Sequence, residues 1–348
     1  MTEFEEARRL IANSLRTAFP AAVVDVGRHD RVLWQEPFGV LSYEPEVPQT
    51  RLDTIFDLAS LTKVIATTTV AMAAVDDARL ALDDLVSRCL SQWRGQDRET
   101  VTVGDLLAHA SGLTTHLPFF KDYRGRAEFE RAICTLPLEY RTRSQSLYSD
   151  LGFILLGFIL EDTGGTSLDL RFDQLVTAHG WGDIGFRPEF TTRERIAPTE
   201  VDPWRGRLLI GEVDDENTWA LNGVAGHAGL FGTASAVGRF AQTILQQARG
   251  HTPLARSDTF RCFVSRTTVP ASSRALGWDT MLPTSSCGTR MSASAIGHTG
   301  FTGTSLWIDL EADLYVVLLT NRVYPSREND AILSVRPAFH DAVMAAIA

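Results

Sequence analysis

Strand-forming sequence at both ends of this chain, with a long helical block between, restricts the possible folds more than any other feature. Two strand-like runs, Ala21–Gly27 and 32–40, lie near the start and are separated by the turn residues Arg28-His29-Asp30-Arg31. The pattern returns after about residue 274, at 275–280, 295–298, 304–310 and 315–320. Asp313 and its neighbours fit a short hairpin turn between the last two. From Phe56 to about Gln247 the chain reads mainly helical, with candidates at 59–75, 83–92, 103–109, 127–135, 149–163, 167–178 and 234–248. Helices are also expected over 3–18, where Phe4, Ala7, Leu10, Ile11, Leu15 and Phe19 share one side, and over 330–347.

One antiparallel sheet assembled from both chain ends follows from this order, with the terminal helices on one face and the helical insertion on the other. The expected class is α+β. Residues 1–55 and 266–348 form its sheet region, 56–265 its mainly helical region, and a cleft is expected between them.

A formal charge of -10 argues against nucleic acid or an anionic membrane surface as partner. The longest weakly polar stretches, 64–75 and 151–160, are too short to cross a bilayer. The opening residues are charged, and no secretory apolar region follows them. Cys89, Cys134, Cys262 and Cys287 are scattered, without metal-ligand spacing. A cytoplasmic protein with reduced thiols and no metal or cofactor is expected. Its oligomeric state is not legible.

Of the 33 basic residues, only Lys63 and Lys121 are lysines. Arginine stays protonated in any protein environment, whereas a desolvated lysine can lose its proton and act as a base. Lys63 follows Ser60 by three residues, which on a helix places both side chains on one face. The segment from Leu61 to Ala74 is apolar nearly all round, as a buried helix is, so desolvation is expected to lower the pKa of Lys63. A serine at the first turn beside such an amine is the minimum for a nucleophile activated without histidine. A serine cap and a snorkelling lysine would leave the same trace.

Two further elements carry chemistry. Tyr148-Ser149-Asp150 leads into an apolar helix, where a tyrosine can relay protons, although a plain helix cap with an incidental aromatic reads the same way. His298-Thr299-Gly300-Phe301-Thr302-Gly303 ends a strand, and its glycines allow close backbone approach to a ligand. An exposed N–H there could complete an oxyanion hole with that of Ser60. A strand-terminating turn is the plainer reading.

In this order and spacing, Ser60 with Lys63, Tyr148 with Asp150, and His298 to Gly300 resemble the three signature motifs of the serine β-lactamase and penicillin-binding-protein superfamily. The likeness is closest to the class C β-lactamase branch and its esterase and peptidase relatives, and it spans roughly residues 20 to 345. The segment from Val103 to Leu113 also resembles the family's LLxHxSGL stretch. A further block, Ala197-Pro198-Thr199-Glu200, Gly211 to Asn217 and Gly223 to Phe231, is similar to serine hydrolases associated with muropeptide turnover. One departure is Asp214, which stands where that pattern has histidine.

The resemblance implies a β-lactamase/transpeptidase-like fold and an acyl-enzyme mechanism. Ser60 is then the nucleophile, Lys63 its base and Tyr148 the proton relay, with the N–H groups of Ser60 and Phe301 as the oxyanion hole. Asp150, His298, Thr299, Gly300, His227 and Asp215 are expected to contact substrate. Asp214, Asp215, Glu216 and His227 lack paired metal-ligand spacing, so cleft lining or loop bracing is expected of them. His109 and His116 are expected to serve local structure, His109 as a helix cap.

His298 replaces a lysine and is a poorer anchor for a carboxylate; Asp150 replaces asparagine and only accepts hydrogen bonds when ionised. Both changes favour an esterase or amidase acting on a small ester, an amide or a muropeptide. A β-lactamase or DD-carboxypeptidase is the alternative within the class, and a non-catalytic ligand-binding domain the alternative outside it.

Overall fold

The computed structural model describes residues 3–251 and 254–347. Its strands are β1 (Ala21–Gly27), β2 (Val32–Gly39), β3 (Phe56–Asp57), β4 (Ile184–Phe186), β5 (Val201–Asp202), β6 (Arg207–Leu208), β7 (Leu230–Gly232), β8 (Asp279–Thr280), β9 (Ile296–Thr299), β10 (Ser305–Asp309) and β11 (Leu314–Thr320). Six of them form one antiparallel sheet in the order β2-β1-β11-β10-β9-β8. The opening strands thus join the closing ones through β1 and β11, in register from Ala22 opposite Thr320 to Gly27 opposite Tyr315. The expected sheet built from both chain ends is present.

Strands β1 and β11 are buried along their whole length. Alternate side chains point to opposite faces, and each face has its own core. Val24, Val26, Val316 and Leu318 pack with Ala7, Ile11, Phe339 and Val343 of the terminal helices Glu5–Ser14 and Ile332–Ile347, and with Phe4 just before the first of them. Val23, Val317 and Leu319 belong to the larger core shared with the insertion, including Val237, Phe240 and Ile244 of the helix Ala234–Ala248.

The insertion is less uniformly helical than its sequence suggests. Strands β3, β7 and β4 make a small sheet, and β5 pairs with β6. At two or three residues each, these strands are too short for an alternating pattern to show. The candidate at 83–92 shrinks to Val86–Cys89, that at 103–109 to Val103–Leu107, and the first helix ends at Ser14. Leu85 bridges to Thr102 and Leu15 to Phe19, so cross-chain pairing replaces helical bonding at those ends. Of the strand expected at 275–280 only Asp279 and Thr280 pair. Gly277, at φ +85, packs against Thr68 so closely that an added Cβ would lie 2.0 Å from its Oγ1.

The helix Asp150–Gly164 is buried from Leu151 to Leu160, and its apolar surface all round marks a core element. Backbone meets backbone where it passes Gly226, since a Cβ there would lie 2.0 Å from the Phe153 carbonyl oxygen. That approach brings the neighbouring His227 against the helix bearing Lys63.

Asn321, just after β11, ties distant segments together. Its Oδ1 accepts from the Ala21 N–H at 3.1 Å, and its Nδ2 donates to the carbonyls of Leu41 at 2.9 Å and Pro198 at 3.0 Å. All of these bonds are buried, so losing one partner leaves the others desolvated and unpaired. Asn321→Ala is expected to lower unfolding free energy by roughly 2–4 kcal/mol. Urea denaturation followed by circular dichroism checks this; an unchanged midpoint would count against the role of Asn321.

Candidate active site

Strand β3 delivers the chain to Asp57, and the Leu58 N–H continues the pairing with the Leu230 carbonyl at 2.9 Å. Ala59 then adopts a left-handed φ of +47, a conformation that non-glycine residues hold only when their surroundings force it. The Asp57 carboxylate supplies part of that force by accepting from the Ala59 N–H at 2.8 Å. Ser60 follows at the mouth of a helical segment. The segment is not one regular α-helix, as expected over 59–75: Lys63–Thr67 forms a π-turn before the α-helix Thr68–Asp76 begins. Such turns insert one residue into a helix and recur at functional sites.

Ser60, Lys63 and Tyr148 converge. The Lys63 Nζ lies 3.1 Å from the Ser60 Oγ, and the Tyr148 hydroxyl donates to the same oxygen at 2.8 Å. Lys63 is fully buried, and its ammonium also donates to Asp150 Oδ1 at 2.8 Å and to the His227 carbonyl at 3.0 Å. Tyr148 precedes the helix Asp150–Gly164, whose first turn is capped by the Ser149 hydroxyl accepting from the Gly152 N–H. The Tyr148 ring packs on His109 at 4.9 Å, with Lys63 Nζ 4.8 Å from its centroid.

The charge state of Lys63 differs from the sequence expectation. Burial does push its pKa down and is the largest single effect, but the Asp150 carboxylate and Tyr148 together outweigh it, leaving the pKa above the ordinary lysine value. Burial raises the Asp150 pKa; the Lys63 charge and a hydrogen bond from His116 reverse this and hold the carboxyl well below the usual range. Tyr148 is pushed up by burial, although Lys63 opposes the shift. At rest, the serine oxygen therefore accepts from an ammonium and a neutral phenol.

The His298 turn is fastened to the nucleophile turn by two hydroxyls. Thr302 Oγ1 donates to the Asp57 carbonyl at 2.7 Å, and Thr304 Oγ1 to the Leu58 carbonyl at 3.0 Å. Gly300 is needed for backbone proximity, though to the protein itself: a Cβ there would lie 2.1 Å from Thr304 Oγ1 and 2.6 Å from the Leu58 carbonyl oxygen. Among the described residues, the N–H groups of Ser60 and Phe301 donate to no protein acceptor. His298 donates from Nδ1 to the Thr299 carbonyl at 2.8 Å, and its Nε2 has no protein partner. Burial, then the charges of Arg274 and Lys63, hold its pKa well below the usual histidine value.

Asp215 caps the short helix Glu216–Ala220 by accepting from the Thr218 N–H at 2.7 Å, and it meets His227 Nε2 at 2.9 Å. Asp214 donates its N–H to Asp57 Oδ2 at 2.7 Å. Glu200, Asp202 and Glu216 bring carboxylate oxygens within 4.8 Å of one another, but Arg327 sits on Glu200 and Glu216, and Arg205 on Asp202.

Ser60, Tyr148, Asp150, Asp215, His227 and His298 line a cleft of about 550 Å³, together with Thr299, His116, Arg274 and Arg336. His116, expected to serve local structure, approaches Asp150 at 3.5 Å, and that contact raises its pKa. His109, expected to cap a helix, does occupy a left-handed position at the end of Val103–Leu107; its Nδ1 accepts from the Ser149 N–H and its ring backs Tyr148. Arg274, whose guanidinium lies 5.3 Å from the Tyr148 ring, was missed. A lone arginine in a loop, among so many arginines, carries no spacing signal.

A family profile described as Beta-lactamase matches residues 7–337. The chain is 29% identical to an N-acetylmuramyl-L-alanine amidase of Bacillus subtilis (strain 168), over 90% of its own length and 80% of that protein. Among solved structures, EstCE1, a hydrolase with promiscuous acyltransferase activity, superimposes with a TM-score of 0.77 at 21% identity, covering 98% of each chain. A penicillin-binding protein homolog from Caulobacter crescentus gives 0.77 at 18% identity, over 99% of this chain and 98% of that one. These likenesses show a β-lactamase/transpeptidase-like fold. With the profile spanning nearly the whole chain and its three motifs converging on one cleft, the protein belongs to the Beta-lactamase family.

Proposed function

We propose that this chain is a serine hydrolase that opens an amide or ester bond through an acyl-enzyme on Ser60, with muropeptide fragments as its substrate class. One observation carries the reading: the Ser60 oxygen accepts from Lys63 and Tyr148 at once, beside two N–H groups free to hold an oxyanion.

The reactive form has one proton fewer in the group of Lys63, Tyr148 and Ser60 than the resting form. In that form the Ser60 oxygen attacks the substrate carbonyl, and its proton passes to the Lys63 and Tyr148 pair. Tyr148 returns a proton to the leaving nitrogen or oxygen as the carbonyl carbon releases it. The N–H groups of Ser60 and Phe301 hold the developing oxyanion. Water, deprotonated by the same pair, then cleaves the acyl ester and restores the serine.

Charge in the cleft supports a peptide-like substrate. Asp150, Asp215 and Glu216 line part of it and Arg274 another, so a fragment bearing both an amine and a carboxylate meets complementary groups. Arg274 supplies a fixed cation that the third motif lacks. The name of the Bacillus subtilis relative, which is that of an enzyme cutting beside a muramyl group, points to the same substrates. Arg274 also favours a second reading, as a β-lactamase or carboxypeptidase, since it would anchor the carboxylate of a β-lactam. Nitrocefin turnover as fast as that of the best ester would select that reading.

Intact-mass detection of an acyl-enzyme with p-nitrophenyl esters, a penicillin and muropeptides tests the proposal. Ser60→Ala is expected to form no adduct and to lose roughly 10⁴-fold or more in turnover; equal hydrolysis by both proteins would overturn it. Arg274→Met is expected to raise KM about tenfold for fragments with a free carboxylate, while neutral esters change little. Asp150→Asn removes the charge that keeps the proton on Lys63, leaving burial to lower the Lys63 pKa. The acid limb of kcat/KM should then move to lower pH; a limb that stays in place would disconnect Lys63 from the activating step.

A further inference from the structure

Arg336 is only 6% exposed and lines the cleft. Its Nη2 donates to the carbonyl of Gly300 at 2.6 Å and to that of Thr304 at 2.9 Å, while its Nε has no partner among the described residues. Among the described residues no carboxylate pairs with it, and burial together with the charge of Arg322 lowers its pKa to about 9. A buried guanidinium neutralised by carbonyls alone is an expensive arrangement, and a well-packed apolar side chain would serve stability as well.

The place of the donated bond supplies a reason. The Gly300 carbonyl belongs to the same peptide group as the Phe301 N–H. It already accepts from the Gly303 N–H at 3.1 Å, so the Arg336 contact is a second, charge-assisted bond to that oxygen. Hydrogen bonds to a peptide oxygen draw electron density from its nitrogen and make the N–H a stronger donor, an effect that adds along a chain of bonds. By also gripping Thr304, whose carbonyl accepts from the Gly300 N–H at 2.8 Å, the guanidinium holds the turn on the other side of Gly300, through the preceding peptide. Arg322 does not act on this group: its Nε donates to the Phe301 carbonyl at 2.7 Å, in the following peptide.

We propose that Arg336 is a positioning residue that polarises the peptide joining Gly300 to Phe301 and so strengthens the oxyanion-holding N–H of Phe301. The inference rests on the acyl-enzyme reading of Ser60. It assigns Arg336 to the transition state, where negative charge builds on the substrate oxygen, and gives it no part in binding neutral substrate.

Arg336→Met and Arg336→Lys test it, with a neutral p-nitrophenyl ester as substrate. For Arg336→Met, acylation measured as kcat/KM is expected to fall roughly tenfold, a fraction of the loss on deleting an oxyanion donor outright. The dissociation constant of the neutral ester, from stopped-flow acylation, should be unchanged. Infrared spectroscopy of the acyl-enzyme reads the donor directly. The ester carbonyl band should move to higher frequency in Arg336→Met, and less far in Arg336→Lys, whose ammonium still reaches Gly300. If Arg336→Met does not fold, the lysine variant alone must show the smaller shift. A band at the wild-type frequency in every folded variant overturns the role of Arg336 while the Ser60 reading stands. A loss confined to carboxylate-bearing substrates overturns it in favour of an anion anchor. If wild type forms no ester adduct, both readings fall.

Discussion

The cleft is organised around one buried ammonium. An isolated Lys63 cation in the centre of this fold would be prohibitively costly, so its neighbours are dictated by what it needs. Asp150 supplies the countercharge at 2.8 Å, Ser60 and the His227 carbonyl accept its remaining protons, and the Tyr148 ring lies 4.8 Å away. Those groups come from three stretches of chain far apart in sequence. Satisfying one cation therefore assembles the nucleophile, the phenol and the loop of His227. Asp150 is helped by its place at the start of a helix, where negative charge is favoured.

Long-range order in the fold was legible because it is written in long elements. Strands β1 and β11 are seven residues each and rich in Val and Leu, and the core helix from Leu151 to Leu160 is unmistakably apolar. Strands β3, β4 and β7 were invisible, since two or three residues cannot display a period. In the candidate site, Ser60, Lys63 and Tyr148 stood out through motif order. Arg274 and Arg336 did not, because their positions depend on how a loop and a helix pack across the cleft. The charge of Lys63 was misjudged for a related reason: sequence revealed its burial, while its partner Asp150 is 87 residues away.

The cleft sets groups of fixed charge beside groups that titrate towards neutrality. His109 and His298 are held neutral, first by burial and then by the charge of Arg274. The arginines stay charged, Arg336 included. His116 is drawn toward its protonated form by Asp150, while burial pushes the Asp57 carboxyl up to about 6 and that of Asp214 well above the usual carboxylate range. Protons can thus move among Lys63, Tyr148 and Ser60 beside the fixed charges of Asp150 and the arginines, which supply the preorganised part of the field.

The π-turn at Lys63–Thr67 separates two demands that a regular helix would force together. An α-helix turns by about 100° per residue, so the face shown by Ser60 and Lys63 would otherwise determine which side chains face inward a few residues later. Taking up one extra residue resets that phase. Val70, Ala71 and Ala74 can settle into the core while Ser60 and Lys63 keep the orientation set by the cleft. A one-residue deletion inside the turn would make the helix regular and put these two faces back into a single phase, so the length of this short stretch constrains the enzyme as firmly as the identity of Lys63 does.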